Sequence, residues 1–394
     1  MKELICIVVG GGYAGINAVN AIRKTIKGEA SQRPLRLILI DKNPYHFRKV
    51  LLFKPAAGNE DIIVPLTRLF PEGVEFVQAS VTKIESEKRR LLYQDAEGNE
   101  NSRKYDILVL TVGSVVRQPD SDQGGVALAS LDAAWKIREA WRTNMQKAVK
   151  ETNAKERQRL MTIAVAGAGI SGIETSAELA HFVREDAQQL GFDPGAVRIK
   201  LFNTNKRLFP DGPAKVGLKL ERSLEACGVT VLHGSRVLQE KEGVLTLSNG
   251  ETMSVGLCVW TLGLLPNPML RNIGLPVTPE GYVIVDASYR VQGALGVYSI
   301  GDCARIVDPA SGRADGKTCK EATAQAARLG KILSADLEGH PAPSHKGFID
   351  FFCFGLGPGH GMAWTRIWGV DIIFTGKLGW RLRKFTWDSA SLLK

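Results

Sequence analysis

The feature that most constrains this chain is a short pattern that occurs twice. The apolar run Leu4 to Val9 precedes Gly10-Gly11-Gly12-Tyr13-Ala14-Gly15, and the run Met161 to Ala166 precedes Gly167-Ala168-Gly169-Ile170-Ser171-Gly172. Each copy places a GxGxxG fingerprint between a predicted strand and a predicted helix. Such apolar runs are typical of strands buried on both faces of a parallel sheet, whose crossovers are helices. The repeat therefore predicts two copies of one α/β nucleotide-binding unit.

The three glycines of each fingerprint have distinct tasks. The first permits a tight turn, the second lets a pyrophosphate approach the backbone, and the third lets the helix pack closely on the strand. The N-terminus of that helix adds N–H donors and partial positive charge for the phosphates. The predicted phosphate contacts are Gly10, Gly12 and Gly15 in the first copy, and Gly167, Gly169 and Gly172 in the second.

The first copy also has an acid where a nucleotide ribose is expected. A second apolar run, Leu35 to Ile40, ends at Asp41. An acid at this position hydrogen-bonds the ribose hydroxyls. It comes later than the usual spacing of about 20 residues, and an insertion at 27–34, predicted to be a surface loop, accounts for the excess.

Two dinucleotide sites in one chain predict a bound dinucleotide that faces a diffusible one. The pair with obvious chemistry is FAD with NADH or NADPH. Flavin N5 accepts hydride from nicotinamide C4 when the two rings stack at about 3 to 3.5 Å. The protein then has mainly to hold the rings in place.

The length of 394 residues exceeds what one hydrophobic core usually serves, so we expect two domains and a smaller piece. The prediction is an FAD-binding domain at 1–120 and 270–340, an inserted NAD(P)H-binding domain at 121–269 and a C-terminal segment at 341–394. Residues 131–160 are predicted to form one connecting helix. The predicted strands at 281–285 and 296–300 return the chain to the first domain.

Composition excludes several functional classes. The net charge is +10, but the Lys and Arg residues are scattered and form no dense basic tract, so nucleic acid is not a predicted partner. The six cysteines form no CxxC pair, which indicates a reducing, cytoplasmic compartment, and no metal site is predicted. No apolar run approaches the roughly 18 residues of a membrane-spanning helix.

Further stretches form a consistent set of motifs. They are Tyr45-His46, 51–58 (LLFKPAAG), 105–114 (YDILVLTVGS), 259–268 (VWTLGLLPNP), 297–304 (VYSIGDCA) and 323–325 (TAQ). With the two fingerprints, this set resembles the flavin-dependent pyridine-nucleotide oxidoreductases, and among them most resembles the type II NADH:quinone oxidoreductases. The resemblance spans roughly residues 1–340. It implies a glutathione-reductase-like fold with two Rossmann-like dinucleotide-binding domains.

The resemblance also implies roles for individual residues. Asp302 is expected to hydrogen-bond the FAD ribityl chain. Gln325, on a helix beneath the isoalloxazine, is expected at the acceptor or nicotinamide pocket, with helix capping or solvation as the alternative. The other residues expected to line the cofactor sites from these motifs are Thr111, Gly113, Gly263 and Gly301.

Two acids follow the second fingerprint. Acids in a first helical turn complement the helix dipole, and for Glu178 this interpretation is preferred. Glu174 matches the glutamate that the family places near the nicotinamide and the flavin. If Glu174 is partly desolvated, its pKa rises and it relays protons to the reduced acceptor.

The second unit lacks an acid at the end of its second strand. Leu201-Phe202 leads into Asn203, with Lys206 and Arg207 nearby. Asn203 is expected to bind the nucleotide in place of that acid, and the neighbouring cations keep NADPH open beside NADH.

The cysteine positions argue against two related activities. Residues 1–120 of the FAD-binding domain have only Cys6, inside a predicted buried strand, so a redox disulfide of the kind that disulfide reductases carry is not expected. A sulfide:quinone oxidoreductase needs cysteines in the middle of the chain, where none lies between Cys6 and Cys227. Core packing is the preferred explanation for Cys319 and Cys353.

The tail mixes aromatic residues with cations over 372–394. This pattern predicts peripheral contact with an anionic membrane surface. The alternative is that Leu378, Leu382 and Phe385 form one stripe packed on the protein itself.

The sequence therefore predicts an FAD-dependent NAD(P)H dehydrogenase that delivers two electrons to a quinone, in the cytoplasm or at the inner face of the cell membrane. Glu174 and Gln325 would line the electron and proton route. Two alternatives stay open: a soluble dehydrogenase with another acceptor, such as a small iron–sulfur protein, and a redox sensor similar to apoptosis-inducing factor. The sequence also leaves open whether the chain is a monomer or a homodimer.

Overall fold

A computed structural model of the chain describes residues 3–26 and 33–393. The surface loop predicted at 27–34 lies mostly outside the described residues. The chain begins with the elements β1 (Leu4–Val9), α1 (Tyr13–Thr25), β2 (Leu35–Asp41), β3 (Tyr45–Phe47), α2 (Phe53–Ala57), β4 (Ile63–Pro65), α3 (Leu66–Leu69), β5 (Glu75–Glu85), β6 (Arg90–Asp95), β7 (Glu100–Lys104), β8 (Ile107–Leu110) and β9 (Ser114–Val116).

A second set of elements repeats this plan. It comprises β10 (Val126–Ala127), α4 (Leu131–Lys150), α5 (Ala154–Leu160), β11 (Thr162–Ala166), α6 (Ile170–Gln189), β12 (Arg198–Asn203), α7 (Ala214–Ala226), β13 (Val229–His233), β14 (Val237–Lys241), β15 (Val244–Leu247), β16 (Thr252–Ser254), β17 (Leu257–Trp260) and β18 (Leu264–Pro266). The single helix predicted over 131–160 is wrong in one respect. It is two helices, because the chain leaves helical geometry at Glu151 and the Asn153 side chain then caps α5.

The chain then returns to the first unit through β19 (Val283–Ile284), β20 (Val297–Ser299), β21 (Ala304–Arg305) and α8 (Cys319–Glu338). The first sheet has the order β20-β8-β1-β2-β5-β6-β7 and the second has the order β10-β17-β11-β12-β13. The first five strands of one sheet and all five of the other are parallel and correspond one to one. The predicted fold class, two Rossmann-like α/β units, is confirmed.

Burial explains why these strands form. In β1 and β8 almost every side chain is buried, because α1 and α8 cover one face of the sheet while β5, β6 and the chain at 270–297 cover the other. The helix α8 packs along α1 on one face of the first sheet. Thus α8 brings Gln325 to the same unit as the first fingerprint.

The tail forms more structure than the sequence indicated. Three antiparallel strands, β22 (Phe351–Gly355), β23 (Gly361–Ile367) and β24 (Val370–Thr375), precede the helix α9 (Gly376–Ala390). The helix packs on β22 and β23 through Gly379, Arg383, Trp387 and Ala390.

The self-packing stripe considered for the tail is wrong, because Leu378 is 51% exposed and Phe385 is 55% exposed. Among the described residues, no helix combines the length and apolarity needed to cross a bilayer.

Candidate cofactor and active site

The residues predicted to bind FAD meet at one edge of the first sheet. Gly10 follows β1, Asp41 ends β2, Thr111 follows β8, and Gly301 lies two residues after β20. The carboxyl ends of parallel strands share one edge, which is where ligands bind in open α/β sheets. The structure thus places these residues around one cleft.

The first glycine turn has the shape that a phosphate cradle needs. Gly10 adopts a φ of +107°, which favours glycine, and a Cβ on Gly15 would lie 1.7 Å from the Gly10 carbonyl oxygen. Gly12 precedes the first turn of α1, and a Cβ there would meet no atom within 4 Å. The turn is therefore tightly packed behind Gly12 and open in front of it, as the approach of a pyrophosphate requires.

Asp41 is tied directly to this turn. The Gly11 amide donates to Asp41 Oδ2 at 2.6 Å, and the Asn43 amide donates to Oδ1 at 2.8 Å. Burial raises the pKa of the Asp41 carboxyl, while these two hydrogen bonds oppose the rise. His46 lies behind the turn, with Nδ1 3.0 Å from the Gly11 carbonyl, and burial lowers its pKa to about 4.

A second buried acid lies further along the cleft. Ser114 Oγ donates to Asp302 Oδ2 at 2.7 Å, and Lys49 Nζ donates to the Ser114 carbonyl at 2.9 Å. Burial raises the pKa of the Asp302 carboxyl, and the Ser114 hydroxyl opposes this rise. Burial also lowers the pKa of Lys49.

These features fit FAD. The cleft offers an acid for the ribose end at Asp41, an open turn at Gly12 and a buried acid for the ribityl end at Asp302. Gly113 also faces open space, since a Cβ there would meet no atom within 4 Å. Thr111 has a supporting position, because its hydroxyl donates to the backbone carbonyls of Val9 and Gly10 at 2.7 and 3.0 Å.

The second unit repeats this geometry. Gly167 has a φ of +117°, and a Cβ on Gly172 would lie 1.8 Å from the Gly167 carbonyl oxygen. Cβ atoms on Gly169 and Gly263 would meet no atom within 4 Å. Thr261, which the sequence analysis did not select, donates its hydroxyl to the Gly167 carbonyl at 2.8 Å, as Thr111 does to Gly10. The second cleft is therefore also shaped for a dinucleotide.

Asn203 ends β12, where the acid of such a unit is expected. Its side chain is hydrogen-bonded to residues of the loop that follows β12. Its Nδ2 donates to the Arg207 carbonyl at 3.0 Å and lies 2.9 Å from His233 Nδ1, while its Oδ1 accepts from the Asn205 amide at 3.2 Å. The Arg207 guanidinium in turn donates to the carbonyls of Phe209 and Gly212. Both side chains thus order the loop after β12.

Glu174 lies in a buried ion pair with the C-terminal helix. Its Oε1 and Oε2 accept from Arg383 Nε and Nη2 at 2.7 and 2.8 Å, and Oε1 also accepts from the Gly355 amide at 2.7 Å. Both carboxylate oxygens are therefore occupied by strong donors. A relay of protons through Glu174 would first have to break this pair.

Glu178 does not have the role expected for it. The helix α6 begins at Ile170 and has no acidic residue in its first turn, so the helix-dipole interpretation is wrong. Glu178 Oε1 instead accepts from Lys54 Nζ of α2 at 2.8 Å. Burial raises the pKa of Glu178, and the charge of Lys54 opposes this. The pair joins the second unit to the first.

Gln325 is buried in α8 beside the Asp302 turn. Its Oε1 accepts from the Gly301 amide at 2.8 Å, and its Nε2 donates to Asp315 at 2.6 Å. Gln325 and Gly301, which were both predicted to be site residues, are thus joined by a hydrogen bond.

Four residues near the clefts were missed by sequence reasoning: Lys49, Lys54, Thr261 and Arg383. A signal existed for two of them. Lys54 stands inside the LLFKPAAG motif, and Thr261 occupies the position in the second unit that Thr111 has in the first. Arg383 has no comparable signal, since it lies among other cations of the tail.

Comparison with known proteins identifies the family of this chain. The family model described as pyridine nucleotide-disulphide oxidoreductase matches residues 5–327. A type II NADH:quinone oxidoreductase from Staphylococcus aureus is 26% identical over 347 residues, which cover 84% of this chain and 82% of the relative.

Two solved structures are similar in fold. NDH2 from Plasmodium falciparum, solved in complex with NADH, superposes with a TM-score of 0.81 at 16% sequence identity. The superposition covers 100% of this chain and 97% of the NDH2 chain. The sulfide:quinone oxidoreductase from Aquifex aeolicus has a TM-score of 0.76 at 15% identity, with coverage of 98% and 90%. Together with the family model, these matches confirm the resemblance drawn from the motifs.

Proposed function

Because this chain belongs to the pyridine nucleotide-disulphide oxidoreductase family and is an FAD-dependent oxidoreductase, we propose that it oxidises NADH and passes two electrons to a quinone. The Staphylococcus aureus relative carries this activity in its name, and the Plasmodium falciparum neighbour was solved with NADH. Both support the proposal for the present chain.

The observation that carries the proposal is the pair of matching glycine turns, each open at its second glycine. A bound FAD supplies a ring that accepts a hydride from one substrate and returns electrons to another. The protein's part is to bind two dinucleotides and orient them. Asp41 and Asp302 would hold the two ends of FAD, while Gly167, Gly169 and Gly172 would bind the nicotinamide dinucleotide.

The loop after β12 supports NADH over NADPH. A 2′-phosphate is normally bound by a cation at this position. The Arg207 guanidinium, however, is used by carbonyls of its own loop. Asn203 is likewise buried, with 3% of its surface exposed. Neither side chain is arranged to bind the 2′-phosphate of NADPH, which leaves the exposed Lys206 as the remaining cation of this loop.

For the acceptor, we propose that Glu174 and Gln325 line the route to the quinone. Glu174 would act chiefly as a fixed carboxylate that holds α9 over the junction of the two units, through its pair with Arg383. Breaking one partner of such a buried pair typically costs about 3–5 kcal/mol. Replacement of Glu174 should therefore weaken both folding and turnover.

The tail supports peripheral contact with an anionic membrane. Trp368 is 99% exposed at the turn between β23 and β24, and Leu378 is 51% exposed on α9 beside Lys377 and Arg381. Exposed aromatic and aliphatic side chains among cations suit a lipid interface. A quinone dissolved in that interface would then have a short path to the site.

The test is steady-state oxidation of NADH and NADPH by the FAD-loaded protein, with and without a short-chain quinone. We expect rapid quinone-dependent turnover with NADH and at least about tenfold lower kcat/KM with NADPH, the value of one lost charge-assisted contact. Flavin reduction without quinone turnover would contradict the quinone step and direct the search to an iron–sulfur acceptor or a signalling partner.

Membrane contact is tested separately by sedimentation with anionic and neutral vesicles. We expect the protein to sediment with anionic vesicles and a Trp368→Ser, Leu378→Ser variant to stay in solution. Equal behaviour of the two proteins would contradict the proposed contact surface, whatever the outcome with quinone.

A further inference from the structure

The amide of Gln325 has a defined orientation in this structure. Its oxygen accepts from the Gly301 amide at 2.8 Å, and its nitrogen donates to Asp315 Oδ2 at 2.6 Å. A carboxylate accepts hydrogen bonds and cannot donate them. Asp315 therefore selects the amide orientation that places the oxygen, and not the nitrogen, against Gly301.

Asp315 is itself held by a buried histidine. His345 Nε2 lies 3.2 Å from Asp315 Oδ1, and the side chains of His345 and Asp315 are only 2% and 9% exposed. On the other side of the ring, Tyr289 Oη lies 2.8 Å from His345 Nδ1. Arg328 Nη1 donates to the same hydroxyl at 3.0 Å and lies 3.2 Å from Nδ1.

These contacts determine where the histidine proton lies. The Tyr289 hydroxyl accepts from Arg328, so its own hydrogen is directed to His345 Nδ1. With Nδ1 accepting, the ring donates to Asp315 through Nε2. A single line of hydrogen bonds runs from Arg328 and Tyr289 through His345, Asp315 and Gln325 to the Gly301 amide.

The end of this line reaches the flavin site. Gly301 has a φ of +77°, and a Cβ there would lie 2.7 Å from the Cβ of Ala14, in the first turn of α1. The next residue, Asp302, bonds Ser114. The turn that carries Asp302 is thus packed on the fingerprint helix on one side and held by Gln325 on the other.

We propose that Asp315 is a positioning residue for the flavin site: held by His345, it orients Gln325, which fixes the Gly301–Asp302 turn. The proposal rests on FAD binding at Asp302 and not on the identity of the acceptor. Failure of the quinone step would leave it intact.

The first test is Asp315→Asn. An asparagine offers one acceptor where the wild type meets two donors, Gln325 Nε2 and His345 Nε2, so one of them loses its partner and the Gln325 amide is free to turn. We expect the FAD dissociation constant, measured by the fluorescence of released FAD, to rise about tenfold, the effect typical of one buried hydrogen bond.

The exchange variant Asp315→Asn, Gln325→Glu gives a sharper result. The new carboxylate at 325 accepts from Gly301 and from the new amide at 315, whose oxygen still accepts from His345, so every hydrogen bond has a donor and an acceptor again. We expect FAD affinity within about threefold of wild type, which is a rescue that independent effects do not produce.

Asp308→Asn is the matched control. Asp308 lies on the same loop and accepts from the Gly347 amide at 3.1 Å, but it does not contact Gln325. It should leave FAD affinity unchanged. The proposal is overturned if Asp315→Asn binds FAD as tightly as Asp308→Asn does, or if the exchange variant binds no better than Asp315→Asn. Should Asp315→Asn fail to fold, the yield of folded exchange variant decides in the same way.

Discussion

The two nucleotide-binding units have almost the same glycine turn, and they differ in the residue at the end of the neighbouring strand. The first and third glycines have matching geometry in both, with φ values of +107° and +117° and forbidden Cβ positions 1.7 and 1.8 Å from a carbonyl oxygen. A threonine hydroxyl braces each turn from the end of the adjacent strand, Thr111 after β8 and Thr261 after β17. The cradle itself is thus set by backbone geometry, which both copies share.

The two units differ in the residue that ends the strand next to the glycine turn, β2 in the first unit and β12 in the second. At the end of β2, Asp41 accepts from the Gly11 amide and so belongs to the cradle. At the end of β12, Asn203 bonds Arg207, Asn205 and His233, and so belongs to the loop that follows. The two units thus share the glycine turn and differ in the residue at the neighbouring strand end. The first unit ties its acid into the turn, and this is the unit that we propose to hold FAD.

The largest expected effect comes from the third glycines. Gly15→Ala and Gly172→Ala each place a Cβ where a backbone oxygen lies, so the helix must move away from its strand, at a cost of about 1–3 kcal/mol or more. We expect Gly15→Ala to lose FAD, read as the FAD-to-protein ratio after purification. Gly172→Ala should keep FAD and raise the KM for NADH at least about tenfold.

Each of these variants serves as the control for the other. If Gly172→Ala loses FAD as completely as Gly15→Ala does, the two cradles do not act separately and the comparison fails.

A smaller effect is expected at the two strand ends. In Asp41→Asn a single oxygen replaces two acceptors, so the Gly11 or the Asn43 amide loses its partner, at about 1–3 kcal/mol. In Asn203→Asp the buried donor to the Arg207 carbonyl is lost and a carboxylate faces that carbonyl, at a similar cost. The midpoint temperature of thermal unfolding should fall in both variants. FAD affinity should fall only in Asp41→Asn.

The measurement that sharpens this contrast is the KM ratio of NADPH to NADH in Asn203→Asp. We expect no gain for NADH, because the side chain faces its own loop. A clear gain in NADH affinity with unchanged stability would instead place residue 203 at the nucleotide ribose.

The smallest effect is expected from the two threonines. Thr111→Val and Thr261→Val keep the shape of the side chain and remove one buried hydroxyl donor, for about 1 kcal/mol each in free energy of unfolding. Urea unfolding of the two variants should show matching losses. Unequal losses, with one above about 3 kcal/mol, would mean that the braces are not equivalent.

The sequence predicted the parts of the molecule that depend on local pattern. Fingerprint spacing located the turns at Gly10 and Gly167, and apolar runs located β1, β2 and β11 within one residue. These features follow from backbone geometry and from burial on both faces of a sheet, which leave a signal in neighbouring residues.

The parts that were not predicted depend on distant pairs. Glu174 bonds Arg383 across 209 residues, and nothing near either residue indicates the other. The dipole interpretation of Glu178 was wrong because α6 begins at Ile170, which places Glu178 beyond the first turn of the helix. The strands β22 to β24 were not predicted, because aromatic residues on both faces of β22 obscure the alternating pattern of a strand.

The helix α9 makes contacts that are far apart along the chain. The Asn17 side-chain amide donates to the Ala390 carbonyl, a contact between residues that are separated by 373 positions in the sequence. Arg48 donates to Asp388, which lies 340 positions further along the chain. During synthesis, the first unit and α6 therefore wait for α9 to be made before their last buried partners are available. Contacts of such high sequence separation slow folding and prolong the exposure of unpaired surfaces. The contacts of α9 with Asn17 and Arg48 are therefore among the last that the growing chain can form.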